Sequence, residues 1–492
     1  MRKKYTQIRK RLIEIAYLGS ALGLLSWDQQ VNLPEEGAVA RGEQMSFITG
    51  LLHKKTTAKQ FTKLVDTLIE PSNFKQLLPD EKVVIRELHR DLIKIRRLPY
   101  SFVKKMSQVE SDAFTVWQKA KQNNDFNKFQ PFLEKIVALK QKQAHYYGFS
   151  NSPYDPLLDD YEPNLTSVKV AEMFDDLKPF LIPLVNKIVA NQKNVPGPNY
   201  KFSVILQRQL CREISEKLGY NLRAGRMDES SHPFSTGLHP TDVRITARYN
   251  ENDLWMGVGS IIHETGHALY NQGLSTGHYG TALGESISYG IHESQSRLWE
   301  NMVGKSAEFV TFIFPYIKKF FPDFSLSPKD YYRHLNAVEP TLIRTESDEV
   351  TYNLHIIIRF EIEKELIEGK ITAADAPKIW NDKYKKYLGI DVPSDSQGIL
   401  QDIHWSGGSF GYFPTYTLGN LYAAQLWSVI NKKIPRIKSQ IAAGNFAELL
   451  AWLRTNIHIH GRRFSAEKLI TQVTGATPSA EYFKKYLEQK FI

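Results

Sequence analysis

Residues 260–273, S-I-I-H-E-T-G-H-A-L-Y-N-Q-G, carry His263 and His267 four positions apart, with Glu264 beside the first. On a helix that spacing leaves the two imidazoles about 40° apart in azimuth and roughly 6 Å apart in height, so both can reach one cation. Ile261, Ile262, Ala268 and Leu269 flank them with apolar side chains, and no proline interrupts the run, which suits a buried helix. H-E-x-x-H on a helix is the spacing of zinc hydrolases. The metal lowers the pKa of its water to about 7, and the neighbouring carboxylate takes a proton and returns it to a leaving amine. Peptide hydrolysis is therefore the chemistry expected of this stretch, and the rest of the chain is read outward from it.

A catalytic zinc takes three protein ligands and keeps one open position. In H-x-x-G-x-x-H enzymes a third histidine follows on the same segment. Gly273 stands at that place and Tyr270 at the glycine place, which excludes the subclass. The other common solution is a glutamate from a following helix. G-I-H-E-S-Q-S-R-L-W-E, residues 290–300, offers Glu293, and Glu285 is the rival. If Glu293 faces the metal, His292 faces elsewhere, because adjacent helical residues diverge by about 100°. Asp348, Asp402 and Glu285 are the candidates for orienting the ligand imidazoles through their second nitrogens.

Composition narrows the class. With 42% hydrophobic and 24% charged residues the chain has the make-up of an ordinary globular enzyme, not of a disordered protein. The single cysteine, Cys211, excludes an intrachain disulfide framework and favours a reducing compartment. The net charge of +10 is spread among acids, so no nucleic-acid partner is expected. Met1 to Trp27 starts basic and turns apolar like a signal peptide, but Glu14 interrupts it. Leu12, Ile15, Ala16, Gly19, Leu22 and Gly23 instead form one stripe of an amphipathic helix. No stretch reaches the roughly 18 apolar residues of a membrane span, and the expected location is the cytoplasm.

From Gly42 to Tyr147 the pattern is helical, with breaks at Leu33-Pro34, Glu70-Pro71, Leu98-Pro99 and Gly148 to Asn164. These helices, about 1–150, are expected to wall a cleft. Two more helices, Val168 to Val189 and Phe202 to Leu218, are separated by a loop at 191–200. D-V-R-I-T-A-R-Y, 242–249, alternates like a strand. With a turn at 250–252 and L-W-M-G-V beyond it, a short hairpin is expected to lead into the metal helix. An edge strand there would bind an extended peptide by main-chain pairing; otherwise it only packs. His232, His239 and His278 read as loop residues with local hydrogen bonds. Arg344, in T-L-I-R-T-E-S-D, is either an ion-pair anchor or a bidentate receptor for a carboxylate. The Gly- and aromatic-rich stretch 397–420 reads as a cleft lining. His404 and Tyr416 there are possible oxyanion donors, with Tyr412 competing. Nothing looks like a linker, so one domain, 1–492, is expected.

Motifs in this order resemble the M32 metallocarboxypeptidases, the carboxypeptidase Taq-like family, over nearly the whole length. They include L-L-S-W-D-Q-Q, Y-D-P-L-L-D-D-Y-E-P, G-R-M-D-E-S-S-H-P-F, D-V-R-I-T, H-E-T-G-H, G-I-H-E-S-Q-S-R-L-W-E-N, I-R-T-E-S-D and Q-D-I-H-W-S-G-G-S-F-G-Y-F-P-T-Y. Two places depart from the family pattern: Ser347, where alanine is usual, and Gln30 to Leu33, where Thr-x-Met is usual. The resemblance implies a mainly α, gluzincin-type fold with a deep central groove, a small β-sheet beside the active-site helix, and a homodimer. It implies His263, His267 and Glu293 as ligands of Zn²⁺, with Co²⁺ or Mn²⁺ as alternatives, and Glu264 as general base and acid. Arg344 would bind the substrate's C-terminal carboxylate, with His404 and Tyr416 as oxyanion or substrate contacts. The implied activity is removal of single residues from free peptide C-termini with broad specificity. The rival is a metallo-oligopeptidase cutting internal bonds.

Overall fold

In the computed structural model Asp253 decides where the active-site helix begins. Its carboxylate accepts hydrogen bonds from Trp255 N at 2.9 Å and Met256 N at 3.3 Å, and Leu254–Gly273 follows as one helix. A short hairpin does precede this helix, but its arms are 235–239 and 242–247, which corrects the expected second arm: L-W-M-G-V is the first turn of the helix, because an N-cap aspartate satisfies amides that a strand would have to pair. The structure describes residues 1–193, 197–198 and 200–492, so positions 194–196 and 199 of the predicted 191–200 loop lie outside the described residues.

The protein is about 69% helical. The first helix, Arg2–Val31, is followed by Ala38–Thr56, Lys59–Ile69, Pro79–Arg97, Tyr100–Gln122 and Phe126–Tyr147, with breaks at the predicted prolines. Ser167–Asn191 and Val204–Leu218 match the next two predicted helices. The only sheet among the described residues has three strands, β1 (Gly225–Glu229), β2 (Ser235–His239) and β3 (Asp242–Ala247), in the order β1-β3-β2. β1 pairs with β3 in parallel, Gly225 opposite Val243; β2 pairs antiparallel, Ser235 opposite Ile245. β3 is therefore the central strand, and its main-chain groups are already committed to two neighbours. The expectation of an edge strand there is overturned. The first helix reaches β2, where Ser20 Oγ donates to Leu238 O at 2.5 Å. Trp27 on that helix lies under the guanidinium groups of Arg226 and Arg244, 4.8 and 4.4 Å from the ring centre.

The main apolar core runs from Ala113 to Leu487 and encloses the sheet and the active-site helix. The N-terminal helices build a smaller cluster around Ile8, Phe61, Val65, Val84 and Leu92, which Leu283 joins from the body of the protein. Among the described residues no helix is long and apolar enough to cross a membrane.

Candidate active site and metal centre

Three elements supply the centre: the Leu254–Gly273 helix, the Tyr289–Arg297 helix with the π-helical turn Leu298–Gly304 that continues it, and the Pro414–Lys433 helix. Two glycines let them close up. A Cβ on Gly266 would stand 2.6 Å from Ser296 Cα, and one on Gly419 would stand 2.5 Å from Glu293 Cγ. The Tyr289–Arg297 helix is thus clasped from both sides where it carries Glu293. Its start is held by Ser288, which accepts from Ile291 N at 3.1 Å, and by the buried carboxyl of Glu162, which accepts from Gly290 N.

His263, His267 and Glu293 converge, with their ligand atoms within 4.8 Å of one another. Glu293 Oε2 lies 3.8 Å from His263 Nε2 and 3.4 Å from His267 Nε2. Two ligands about 2.1 Å from a tetrahedral ion stand about 3.4 Å apart, so the set fits a divalent metal. The other imidazole nitrogens are engaged: His263 Nδ1 donates to Glu300 Oε2 at 2.8 Å, and His267 Nδ1 meets His292 Nδ1 at 2.5 Å, donating in the tautomer that leaves Nε2 to a metal. His292 Nε2 in turn donates to Asn271 Oδ1 at 3.1 Å. These tautomers leave both Nε2 lone pairs free for a cation.

The orienting groups differ from those expected. Asp348 caps the turn at Thr351, Asp402 is held by two arginines, and exposed Glu285 pairs with Arg462 at 3.3 Å, so Glu285 is neither ligand nor orienter. His292 does turn away from the Glu293 position, as expected, but onto His267. Glu300 and Arg297 were missed altogether. Arg297 Nε donates to Glu293 Oε1 at 2.7 Å and Arg297 Nη1 to Glu300 Oε2 at 3.2 Å, while its guanidinium lies 4.4 Å from the centre of the Tyr352 ring. Both residues share a helix face with Glu293, a signal that i, i+4 and i+7 spacing would have given.

Charge around the centre is strongly coupled. Burial would raise the carboxyl of Glu293, but Arg297 and the two histidines hold it far below the usual range. Glu300 is likewise pushed up by burial and pulled down to about 2 by Arg297 and His263. His263 loses solvation yet is raised on balance by Glu293 and Glu300. Glu264 is only 6% exposed. Burial raises its pKa against the pull of His263 and His267, which suits a carboxylate that must accept a proton.

A second charged cluster adjoins through Tyr352, whose hydroxyl accepts from Arg344 Nη1 at 2.9 Å. Asp402 is clamped by Arg344, Nε at 3.0 Å and Nη2 at 2.7 Å, and by Arg359 Nε at 2.6 Å. Two buried guanidinium groups thus face one carboxylate. Arg344 is an ion-pair anchor with charge to spare. Ser347 Oγ donates to Arg344 O at 2.6 Å, a bond that alanine could not make. His404 Nε2 lies 3.2 Å from Tyr416 OH, and burial lowers its pKa to about 3, so the ring is neutral. The Tyr416 ring lies under Arg344 at 5.0 Å and beside Tyr412 at 5.3 Å. Burial keeps both phenols protonated, with Glu293 adding to the effect on each. The Gly-rich loop carrying these groups is pinned by Glu363, which accepts from Tyr154 OH at 2.7 Å, Trp405 Nε1 at 2.8 Å and Gly411 N at 3.1 Å. Away from the site, His239 Nδ1 meets Thr241 Oγ1 at 2.7 Å, a local contact as expected, whereas His278 lies 3.6 Å from Asp80 on the sequence-distant Pro79–Arg97 helix.

The family described as carboxypeptidase Taq (M32) metallopeptidase matches residues 7–491. The chain is 39% identical to thermostable carboxypeptidase 1 of Thermus thermophilus over 97% of its own length and 96% of the relative's. A solved Pyrococcus furiosus carboxypeptidase superimposes with a TM-score of 0.97 at 38% identity, covering 100% of this chain and 99% of the other. The M32 carboxypeptidase of Deinococcus radiodurans gives a TM-score of 0.96 at 35% identity, covering 99% of each. Alongside the His/His/Glu convergence on the helical scaffold, these likenesses make the chain a member of the M32 family, a metallocarboxypeptidase.

Proposed function

We propose that this carboxypeptidase releases single residues from the free C-termini of peptides with broad specificity, that Zn²⁺ is its metal, and that it acts as a homodimer in the cytoplasm. The observation that carries the reading is the surplus positive charge of Arg344 and Arg359 over Asp402, joined through Tyr352 to the His/His/Glu set. A receptor for one extra carboxylate next to a hydrolytic centre distinguishes an exopeptidase.

In this reading His263, His267 and Glu293 hold the metal. When bound, it supplies a Lewis acid and a water of lowered pKa. Glu264 takes the proton of the attacking water and hands it to the leaving amine. Arg344 receives the terminal carboxylate through guanidinium N–H groups beyond those on Asp402 and Tyr352. Tyr416 and His404, with Tyr412 as the alternative, are the donors for charge developing on the carbonyl oxygen. Two imidazoles and a carboxylate suit Zn²⁺ and also admit Co²⁺ or Mn²⁺. The reducing compartment rests on the lone, buried Cys211. Support for the dimer is the Ala38–Thr56 helix, which buries none of its residues and leaves Val39 76% and Phe47 69% exposed. Light scattering on a Phe47→Lys variant tests that surface. We read residues 1–492 as one catalytic unit.

The deciding experiment is mass spectrometry of a short peptide and its C-terminally amidated copy, with and without a chelator. Stepwise loss of C-terminal residues, blocked by amidation and by chelation and nearly abolished in Glu264→Gln, is the expected outcome. Internal fragments from both peptides would instead make it an oligopeptidase and return Arg344 to a purely structural role. Reconstitution of the stripped enzyme with Zn²⁺, Co²⁺ and Mn²⁺ in parallel identifies the metal.

A further inference from the structure

Tyr352 opens the Tyr352–Ile367 helix, and the turn before it fixes where its side chain starts. The Asp348 carboxylate accepts from Val350 N at 2.8 Å, Thr351 N at 3.0 Å and Thr351 Oγ1 at 2.7 Å, and the Asp348 carbonyl accepts from Tyr352 N at 3.0 Å. The side chain that follows is only 5% exposed, so packing holds it in place. Its ring and hydroxyl touch each part of the site. The Arg297 guanidinium, which holds Glu293 and Glu300, lies over the ring 4.4 Å from its centre. Tyr416 meets the same ring edge-on, with centres 6.1 Å apart and planes at 88°. The hydroxyl accepts from Arg344 Nη1 at 2.9 Å.

How Arg344 is held gives that last bond its weight. Nε and Nη2 both donate to a single oxygen, Asp402 Oδ1, while the other oxygen of Asp402 is taken by Arg359. A guanidinium held on one oxygen can pivot about it. The bond from Nη1 to Tyr352 adds a second point of attachment on the remaining nitrogen, and two points fix the direction in which the group faces. One N–H is then left on each terminal nitrogen for a further acceptor. The same phenol thus aims Arg344 and, through the face of its ring, buttresses the arginine that holds Glu293.

Taking Arg344 as the receptor for the substrate's terminal carboxylate, the reading on which this step rests, we propose that Tyr352 is its positioning residue. By pinning Nη1 from one end and packing against Arg297 at the other, it sets the spacing between the bound chain end and the His/His/Glu set. That spacing brings the last peptide bond, and no other, to the metal centre, so fixing it serves both affinity and the choice of bond.

Steady-state kinetics of the whole, metal-loaded enzyme on a short peptide and its C-terminally amidated copy test it, with Tyr352→Phe, Arg344→Ala and the double variant. Tyr352→Phe keeps the ring and removes the acceptor. KM for the free-acid peptide should rise about tenfold with a much smaller change in kcat, and the preference for a free over an amidated C-terminus should fall by a similar factor, because a contact to bound substrate is loosened. In the Arg344→Ala background the same change should have no further effect, since it acts through that arginine. Tyr352→Leu also takes the ring from beneath Arg297, so its metal affinity, read by chelator competition, should fall about tenfold, whereas Tyr352→Phe keeps the wild-type value. If Arg344→Ala abolishes the preference but Tyr352→Phe leaves KM unchanged, the positioning role is overturned and the receptor stands. A Tyr352→Phe effect that persists in full without Arg344 would overturn it as well, making the tyrosine's role independent of the receptor. An Arg344→Ala enzyme with its preference intact would overturn the receptor reading itself.

Discussion

Gly419→Ala would set a methyl group 2.5 Å from Glu293 Cγ, 2.7 Å from its Cβ and 3.1 Å from its backbone carbon. Ordinary contact begins at 3.4 Å, so the closest approach must open by about 0.9 Å. Glu293 cannot swing aside, because two of the three atoms lie at the root of its side chain or in its backbone, so the helices must separate. In a helix interior Gly→Ala otherwise gains about 0.5–1 kcal/mol. Overpacking of this kind costs about 1–3 kcal/mol, and here it wins. Stability should fall by about 1 kcal/mol on balance, a loss that need not unfold the protein. The functional effect should be larger. Glu293 Oε2 sits 3.4 and 3.8 Å from the two Nε2 atoms, and a shift of most of an ångström takes it out of range of a common ion. Metal affinity, read by competition with a chromophoric chelator, should drop at least about tenfold, as for loss of a supporting group. Gly19→Ala is the control, since a Cβ there meets nothing within 4 Å. Wild-type metal affinity and turnover in a folded Gly419→Ala enzyme would refute the idea that this glycine places the third ligand.

Three further outcomes follow from other parts of the molecule. Glu300→Gln removes the charge that receives the His263 Nδ1 proton and faces buried Arg297; metal affinity should fall about 10–100-fold, and the stripped protein should lose thermal stability as well, measured by chelator competition and calorimetry. Burial raises the Glu162 carboxyl from 4.5 to about 8, so the folded state binds a proton that the unfolded state releases between those values. Its contribution is fully present below about pH 4.5 and is lost as pH rises through about 8. Glu162→Gln, which keeps an acceptor for Gly290 N, should match wild type at low pH and exceed it at pH 8 in denaturant unfolding. Glu363→Leu leaves three donors without an acceptor and should cost about 2–5 kcal/mol, with activity falling as the His404–Tyr416 loop loosens.

The His263–His267 pair was legible because both residues lie on one helix, and helical geometry alone puts i and i+4 on one face. Proline and amphipathic spacing likewise located the N-terminal helix breaks, because those signals act within a few residues. Motif resemblance nominated Glu293 and Arg344, which local periodicity could not rank against Glu285 or against a plain ion pair. The misplaced second arm of the hairpin shows the limit of alternation: 254–258 is apolar enough for a strand, and only the Asp253 cap and the pairing of β3 on both sides exclude it.

What the sequence alone determined, then, is the spacing of groups within a helix and the chemistry those groups can perform. Tertiary structure alone decided which distant groups support them: Glu300 and His292 behind the imidazoles, Arg297 between two glutamates, Asp402 between two arginines. The reason is physical. Residues a turn apart are tied by covalent geometry, whereas Arg344 and Asp402 meet only because close packing, down to glycines with no room for a methyl, fixes how the helices lie.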